Sequence, residues 1–167
     1  MQWLISMPWE DVPKRSGDTV SWYFTWKIRK RPWQQCRKGD EVFILKPSVY
    51  ESRGKVSFAD GFEYNGEDDL VRGLEKRIGW EENMKNHPYF RDVRPYGYCL
   101  ALQWELWLLR EPKVRPRSFS MTKHGGQHGW LAFDKVPAHI RQWLQSESET
   151  LPKGQSRPSY RTVRGVL

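Results

Sequence analysis

The sequence has only two cysteines, Cys36 and Cys99, among its 167 residues. They are far apart, match no metal-ligand spacing, and a single pair does not make a disulfide framework. We therefore expect two reduced thiols buried as small apolar side chains. No apolar run approaches the roughly 18 residues that a membrane-spanning helix needs. We expect no membrane partner.

The first residues, MQWL, also lack the basic segment and long apolar run of a secretory leader. Together with the scarcity of cysteine, this predicts a cytoplasmic protein, or a nuclear one in a eukaryote. The sequence further lacks a Ser-His-Asp order, a phosphate-binding loop and a carboxylate pair that would require catalysis. It therefore favours a binding protein over an enzyme, and we expect no cofactor.

What the sequence does have is positive charge and tryptophan. Lysine and arginine number 28 against 20 acidic residues, which gives a net charge of +8. Such an excess favours polyanionic partners, nucleic acid first among them, although it also serves solubility. Most of the ten tryptophans belong in a core, but an exposed one is a good surface for stacking a base.

Strand patterns dominate the secondary structure that the sequence predicts. The firmest strand covers 98–109, where leucine and tryptophan alternate with other residues. Apolar residues spaced by four predict a helix over 70–78 that ends at Gly79, and a shorter helix follows Pro137. Further strands are predicted at 3–5, 19–28, 42–45, 55–59 and 130–133. The prediction is an α+β domain over residues 1–145, a long loop at 80–95, and a basic, flexible tail over residues 146–167.

The most distinctive segment is VSWYFTWKIRKRPW, residues 20–33. In a strand, Trp22, Phe24 and Trp26 share one face. Four of the five residues from Lys27 to Arg31 are cationic. Aromatic rings beside cations provide both base stacking and phosphate neutralisation. The alternative is that these rings belong to the core and the cations are merely solvated.

A glycine-rich loop, KHGGQHGW, provides a second candidate contact. Its Lys123, His124 and His128 would face phosphate if the glycine backbone approached a ligand. Histidines four residues apart bind a metal when they lie on a helix, but this stretch is too rich in glycine to form one. We therefore predict no metal site, and the loop is either a structural connection or a phosphate contact.

A third segment, CRKGDEVFI at residues 36–44, carries a resemblance. Its Lys38-Gly39-Asp40 turn leads into an apolar strand about fifteen residues after the aromatic-rich strand. This arrangement resembles the PUA-like superfamily, and its spacing is most similar to the EVE, YTH and ASCH branches. The preceding Val20-Ser21-Trp22 resembles the pocket strand of YTH and EVE domains. The resemblance covers residues 1–145.

The resemblance implies a small β-barrel flanked by two or three short helices, with an aromatic pocket for a modified or flipped-out base of DNA or RNA. By position, Trp22 would form a pocket wall with Ser21 as a polar contact beside it. Trp26 and Trp33 would form further walls. The phosphates would then meet the three cations Lys27, Arg29 and Arg31.

Two other functions stay open from the sequence. ASCH domains include enzymes, so the resemblance also allows a small nuclease or modified-nucleoside hydrolase, with Thr25 and Lys27 as weak catalytic candidates. A lysine that acts as a base has to be buried. The third function is a protein-interaction domain, in which a partner covers the exposed tryptophans.

Overall fold

The computed structural model describes residues 1–7, 15–29, 31–46, 49–80, 94–124 and 129–157. Within these ranges the chain forms six β-strands and three short α-helices, which confirms the predicted α+β class. The strands are β1 (Gln2–Ser6), β2 (Thr19–Trp26), β3 (Glu41–Leu45), β4 (Val49–Asn65), β5 (Tyr96–Val114) and β6 (Trp130–Ala132). The helices are α1 (Arg31–Gln35), α2 (Glu67–Ile78) and α3 (Ala138–Gln145).

The strands are hydrogen-bonded in the order β2, β5, β4, β3, β1, β6. β1 pairs in parallel with β3 and antiparallel with β6. In the described residues this order does not join β6 back to β2, so strand pairing shows a mixed sheet and not a closed barrel. None of the described helices is long and apolar enough to cross a membrane.

The sequence patterns predicted which helices and strands form more accurately than they predicted where these elements end. α2 buries the four apolar side chains that predicted it, and Gly79 follows its last residue as expected. β5 runs past the predicted end at residue 109 to Val114. Near residue 109 the amide of Arg110 also donates to the carbonyl of Glu149 at 2.7 Å, and that of Leu151 donates to the carbonyl of Leu108. Most of the loop predicted at 80–95, residues 81–93, lies outside the described residues.

The chain divides into two compact units, and β4 and β5 contribute residues to both. Unit 1 comprises Met1, Val20–Asp40 and Lys55–Trp104. Its apolar cluster lies between α2 and the sheet and contains Tyr23, Tyr64, Leu70, Val71, Leu74, Ile78, Trp80, Cys99 and Ala101. Unit 2 comprises Gln2–Thr19, Glu41–Gly54 and Glu105–Leu167. Its cluster contains Leu4, Phe43, Leu45, Tyr50, Leu109, Phe119, Met121, Leu131, Phe133, Val136, Ile140 and Leu144.

The segment predicted to begin a flexible tail is bonded to unit 2 over much of its described length. Thr150 forms an isolated β-bridge with Leu109, and Ser156 forms one with Arg15. The guanidinium of Arg157 donates to the backbone carbonyl of Leu109 at 2.9 Å. Backbone pairing, which composition does not reveal, therefore anchors the basic segment as far as residue 157. Residues 158–167 of the predicted tail lie outside the described residues.

Both cysteines are free and buried, as the sequence predicted. Burial, with a smaller effect from the negative charge of Asp40, raises the pKa of the Cys36 thiol to about 12. Burial also raises the pKa of Cys99 well above its ordinary value. Because the thiolate is the reactive form, we expect neither native thiol to react with iodoacetamide at pH 8, and both to react in denaturant. Mass spectrometry of the alkylated protein measures this, and rapid native labelling of either residue would contradict it.

Candidate nucleic-acid interface

The Lys38-Gly39-Asp40 motif forms a tight turn that leads into β3. Gly39 has a φ of 93°, and the amide of Asp40 donates to the carbonyl of Arg37 at 3.1 Å. A positive φ at the third position is where a type II turn requires glycine. The Asp40 carboxylate accepts the amide of Arg37 at 3.0 Å, and Gly39 donates to the carbonyl of Val56 at 2.8 Å. The motif therefore has a structural role: it fixes one end of the basic segment against β4.

Trp33 lies between this turn and β2, on the short helix α1. Its half-buried indole lies directly across Gly61 of β4. A Cβ atom at Gly61 would come within 2.8 Å of Nε1 of the indole, so only glycine allows this approach. The indole also packs edge-to-face against Tyr98, with ring centroids 5.2 Å apart. β4 and β5 therefore form the surface that positions Trp33.

These contacts lie on the face of the unit 1 sheet opposite α2. Side chains alternate between faces along a strand. Phe62 and Tyr64 belong to the apolar cluster beneath α2, so Gly61 and Glu63 point to the other face. By the same alternation, Tyr98 lies opposite its neighbour Cys99, which is in the cluster. The sheet face without α2 thus carries an aromatic pair and a carboxylate.

Arg29 completes this arrangement. Its guanidinium carbon lies 5.3 Å from the ring centroid of Trp33 and 5.6 Å from that of Tyr98. One guanidinium nitrogen donates to the Glu63 carboxylate at 2.9 Å. The hydrogen bond that Arg29 donates to Glu63 is the main cause that raises the pKa of Arg29 above its ordinary value. We call Trp33, Tyr98, Arg29 and Glu63, with Gly61 beneath the indole, the Trp33 platform.

The Trp33 platform is open to solvent where it carries charge. The side chain of Arg29 is 55% exposed and that of Glu63 is 60% exposed. An ion pair this exposed contributes little to stability because water screens both charges. The guanidinium is therefore accessible to a ligand, which would have to compete with its contacts to the two rings and to Glu63.

A second arginine in unit 1 stacks on a ring in a different way. The Arg77 guanidinium carbon lies 4.1 Å from the Phe62 ring centroid, and its Nε donates to Asp60 at 2.6 Å. It also donates to the carbonyl of Gly73 at 3.2 Å, and its side chain is only 25% exposed. Three contacts and partial burial hold this arginine in place. Arg77 is a structural stack, and Arg29 has the accessibility that a binding residue needs.

The chain matches no family model, no curated protein and no solved structure. Function therefore has to be argued from the side chains of this chain. Among them, the Trp33 platform combines an exposed cation with two half-buried aromatic rings, and its Arg29 and Trp33 belong to the aromatic and cationic segment 20–33. It brings together Arg29 and Trp33, two of the predicted contact residues, and it adds Tyr98, Glu63 and Gly61 to them.

The other predicted pocket walls lie elsewhere. Trp26 is 1% exposed and stacks on Phe24 in the core, with ring centroids 6.3 Å apart, so it offers no face to a ligand. Trp22 is half-buried and packs edge-to-face on Trp80 at 5.8 Å. The Ser21 hydroxyl accepts a hydrogen bond from Gln103 at 2.9 Å. Trp22 thus packs beside Tyr23 against the apolar cluster of unit 1.

The predicted catalytic candidates do not form an activated pair. Lys27 is exposed, and the burial that would turn a lysine into a base is missing. Thr25 is half-buried. Among the described residues no three histidine, cysteine or acidic side chains are grouped to hold a metal ion.

The remaining predicted contacts are only partly described. Lys123 is exposed, as a phosphate contact has to be. The side chains of Arg31 and His124, and the whole of His128, lie outside the described residues. Their assigned roles stay predictions.

Proposed function

We propose that this chain binds nucleic acid, taking an unpaired or flipped-out base on the Trp33 platform. The observation that carries the proposal is the exposed Arg29 guanidinium lying over the rings of Trp33 and Tyr98. The two rings are half-buried, and the part of them that stays open offers a stacking surface to any base, because every base has a π face. The guanidinium adds a cation that either stacks on a base or grips a phosphate in bidentate fashion.

The charge around the Trp33 platform supports the same partner. Residues 27–38 contain six lysines and arginines and no acidic residue. Lys27 and Lys38 are exposed near the two ends of this stretch. Cations along one segment neutralise successive phosphates and release their counterions, which makes binding steeply dependent on salt. A backbone that follows residues 27–38 would bring its bases to Trp33.

The scaffold is proposed to be PUA-like, with the strands arranged around a base pocket as in the EVE and YTH branches. Two observations support this part. The Lys38-Gly39-Asp40 motif that carries the resemblance forms the expected turn, and β3 begins at the next residue, Glu41. A modified base is the ligand that the resemblance favours. The Trp33 platform is the surface on which we propose that it stacks.

Titration of a fluorescently labelled single-stranded oligonucleotide at several salt concentrations tests the proposal. We expect Trp33→Ala to weaken binding by about 1–3 kcal/mol, the cost of losing one stacked base. Lys27→Ala should weaken binding of every sequence alike and lower the slope of log K against log salt by about 0.7 for a single strand. Quenching of tryptophan fluorescence should accompany binding in the unmodified protein.

Trp143→Ala is the matched control, because Trp143 is a half-buried tryptophan of unit 2 that packs on Tyr50, with ring centroids 5.7 Å apart. Its loss should leave affinity unchanged. If the unmodified protein binds no oligonucleotide at low salt, the proposal is wrong. A protein-interaction role would then be favoured, with Ile28 and Tyr96 as exposed apolar contacts near the adjoining ends of β2 and β5.

A further inference from the structure

We propose that the Trp33 platform selects guanine, and that Glu63 is the residue that determines this specificity. The inference rests on the proposed function and names the base that the same site takes. Its starting point is the group that lies on the Trp33 platform in this structure, the guanidinium of Arg29. That group is planar, lies over the Trp33 ring with its carbon 5.3 Å from the ring centroid, and donates an N–H to Glu63.

The guanidinium of Arg29 indicates the chemistry of a ligand that would replace it on the Trp33 platform. Such a ligand needs a flat π surface for the indole and N–H donors directed at a carboxylate. An ionised carboxylate only accepts hydrogen bonds, and its two oxygens suit two donors side by side. On the edge of guanine, N1–H and the N2 amino group are adjacent donors attached to one carbon. This part of the base repeats the donor pattern of a guanidinium.

The other common bases fit Glu63 less well. Adenine and cytosine place a ring-nitrogen acceptor beside their amino group, and its lone pair would face the second carboxylate oxygen. Uracil and thymine have a single N–H between two carbonyl acceptors. A bidentate contact to a base edge discriminates by about tenfold or more. Glu63 therefore favours guanine by attraction and disfavours the others by repulsion between acceptors.

The distances decide how the base enters. With the guanidinium carbon 5.3 Å from the Trp33 centroid, no base fits between the two groups. Arg29 has to leave the ring, and its exposure and single ion pair permit that. Once released, the guanidinium is free to pair with a phosphate of the bound strand. The base thus takes the place of Arg29 on both Trp33 and Glu63.

The charge of Glu63 makes the inference testable in two directions. A carboxylate beside a phosphate-binding segment repels every oligonucleotide. It also holds Arg29 on the ring. Removing the charge should therefore strengthen binding of strands without guanine and weaken the preference for guanine. A side chain with a purely structural role would not move these two quantities in opposite directions.

The experiment uses the full chain and a short oligo-dT strand whose central base is thymine, adenine, guanine or hypoxanthine. Hypoxanthine lacks the N2 amino group and so removes one of the two donors. We expect guanine to bind about tenfold more tightly than the other three. In Glu63→Gln this preference should disappear, while the all-thymine strand binds more tightly than it does to the unmodified protein.

Asp60→Asn is the matched control, since Asp60 lies on the same strand as Glu63 and pairs with the other arginine that lies over a ring, Arg77 of α2. It should keep the preference for guanine. Equal binding of all four strands, with affinity still lost in Trp33→Ala, would overturn the guanine proposal and leave the proposed function standing. Absence of binding to every strand would overturn both. A preference for guanine that survives Glu63→Gln, or that is lost in Asp60→Asn, would overturn the role of Glu63.

Discussion

Replacing Trp26 by alanine is expected to lower the free energy of unfolding by about 4 kcal/mol. The side chain is 1% exposed and stacks on Phe24. A Cβ atom at Gly97 would come within 2.4 Å of the Trp26 carbonyl oxygen, which shows how closely β2 and β5 approach. Removing a large buried ring costs its transfer free energy and leaves a cavity. Urea unfolding followed by circular dichroism measures the loss.

Ile28→Ala is the control for this prediction, because Ile28 lies two residues further along and is 57% exposed. We expect it to change the free energy of unfolding by about 0.5 kcal/mol or less. Similar losses for the two variants would show that Trp26 is not a core residue. The pair also separates the two roles of tryptophan in this segment: Trp26 for stability, and Trp33 for the binding that we propose.

Local periodicity predicted the elements whose burial repeats at a fixed spacing. Leu70, Leu74 and Ile78 mark α2, and the alternation through residues 98–109 marks β5. β5 continues to Val114 between its neighbours β2 and β4, beyond the alternation that predicted it. β4 likewise continues beyond the predicted strand at 55–59, because polar side chains such as Glu63 interrupt the apolar alternation by which a strand is recognised in the sequence. Contacts between distant segments, which periodicity does not contain, set these ends.

The candidate site was also predictable only in part, because some of its residues are neighbours in sequence and the others are brought to it by the fold. The run of cations from Lys27 onward is visible in the sequence, and it places Arg29 and Trp33 together. Tyr98, Glu63 and Gly61 come from β4 and β5, and only the fold brings them to the same place. Periodicity assigns aromatic residues to one face of a strand, but it does not tell which ring on that face the rest of the chain covers.

A partly buried ion pair in unit 2 adds to the backbone bridges that hold the end of the described chain. The side chains of Arg157 and Glu51 are 15% and 14% exposed. Arg157 donates to the carboxylate of Glu51 and to the backbone carbonyls of Glu51 and Leu109. Lys46 approaches the other carboxylate oxygen of Glu51 at 2.9 Å. Arg157 thus satisfies two carbonyls and one carboxylate that water reaches poorly, and its guanidinium ties residues 149–157 to β4 and β5.

Arg157→Met is therefore expected to lower the free energy of unfolding by about 3 kcal/mol, the lower end of the cost of removing one partner from a buried pair. The lower end applies because Lys46 still neutralises Glu51. Arg110→Met is the matched control: its ion pair with Glu149 involves the same C-terminal segment but is exposed, so the loss should be about 0.5 kcal/mol or less. Urea unfolding of both variants measures the difference. Equal losses would mean that residues 149–157 are held by their backbone bridges alone, because those bridges are common to both proteins.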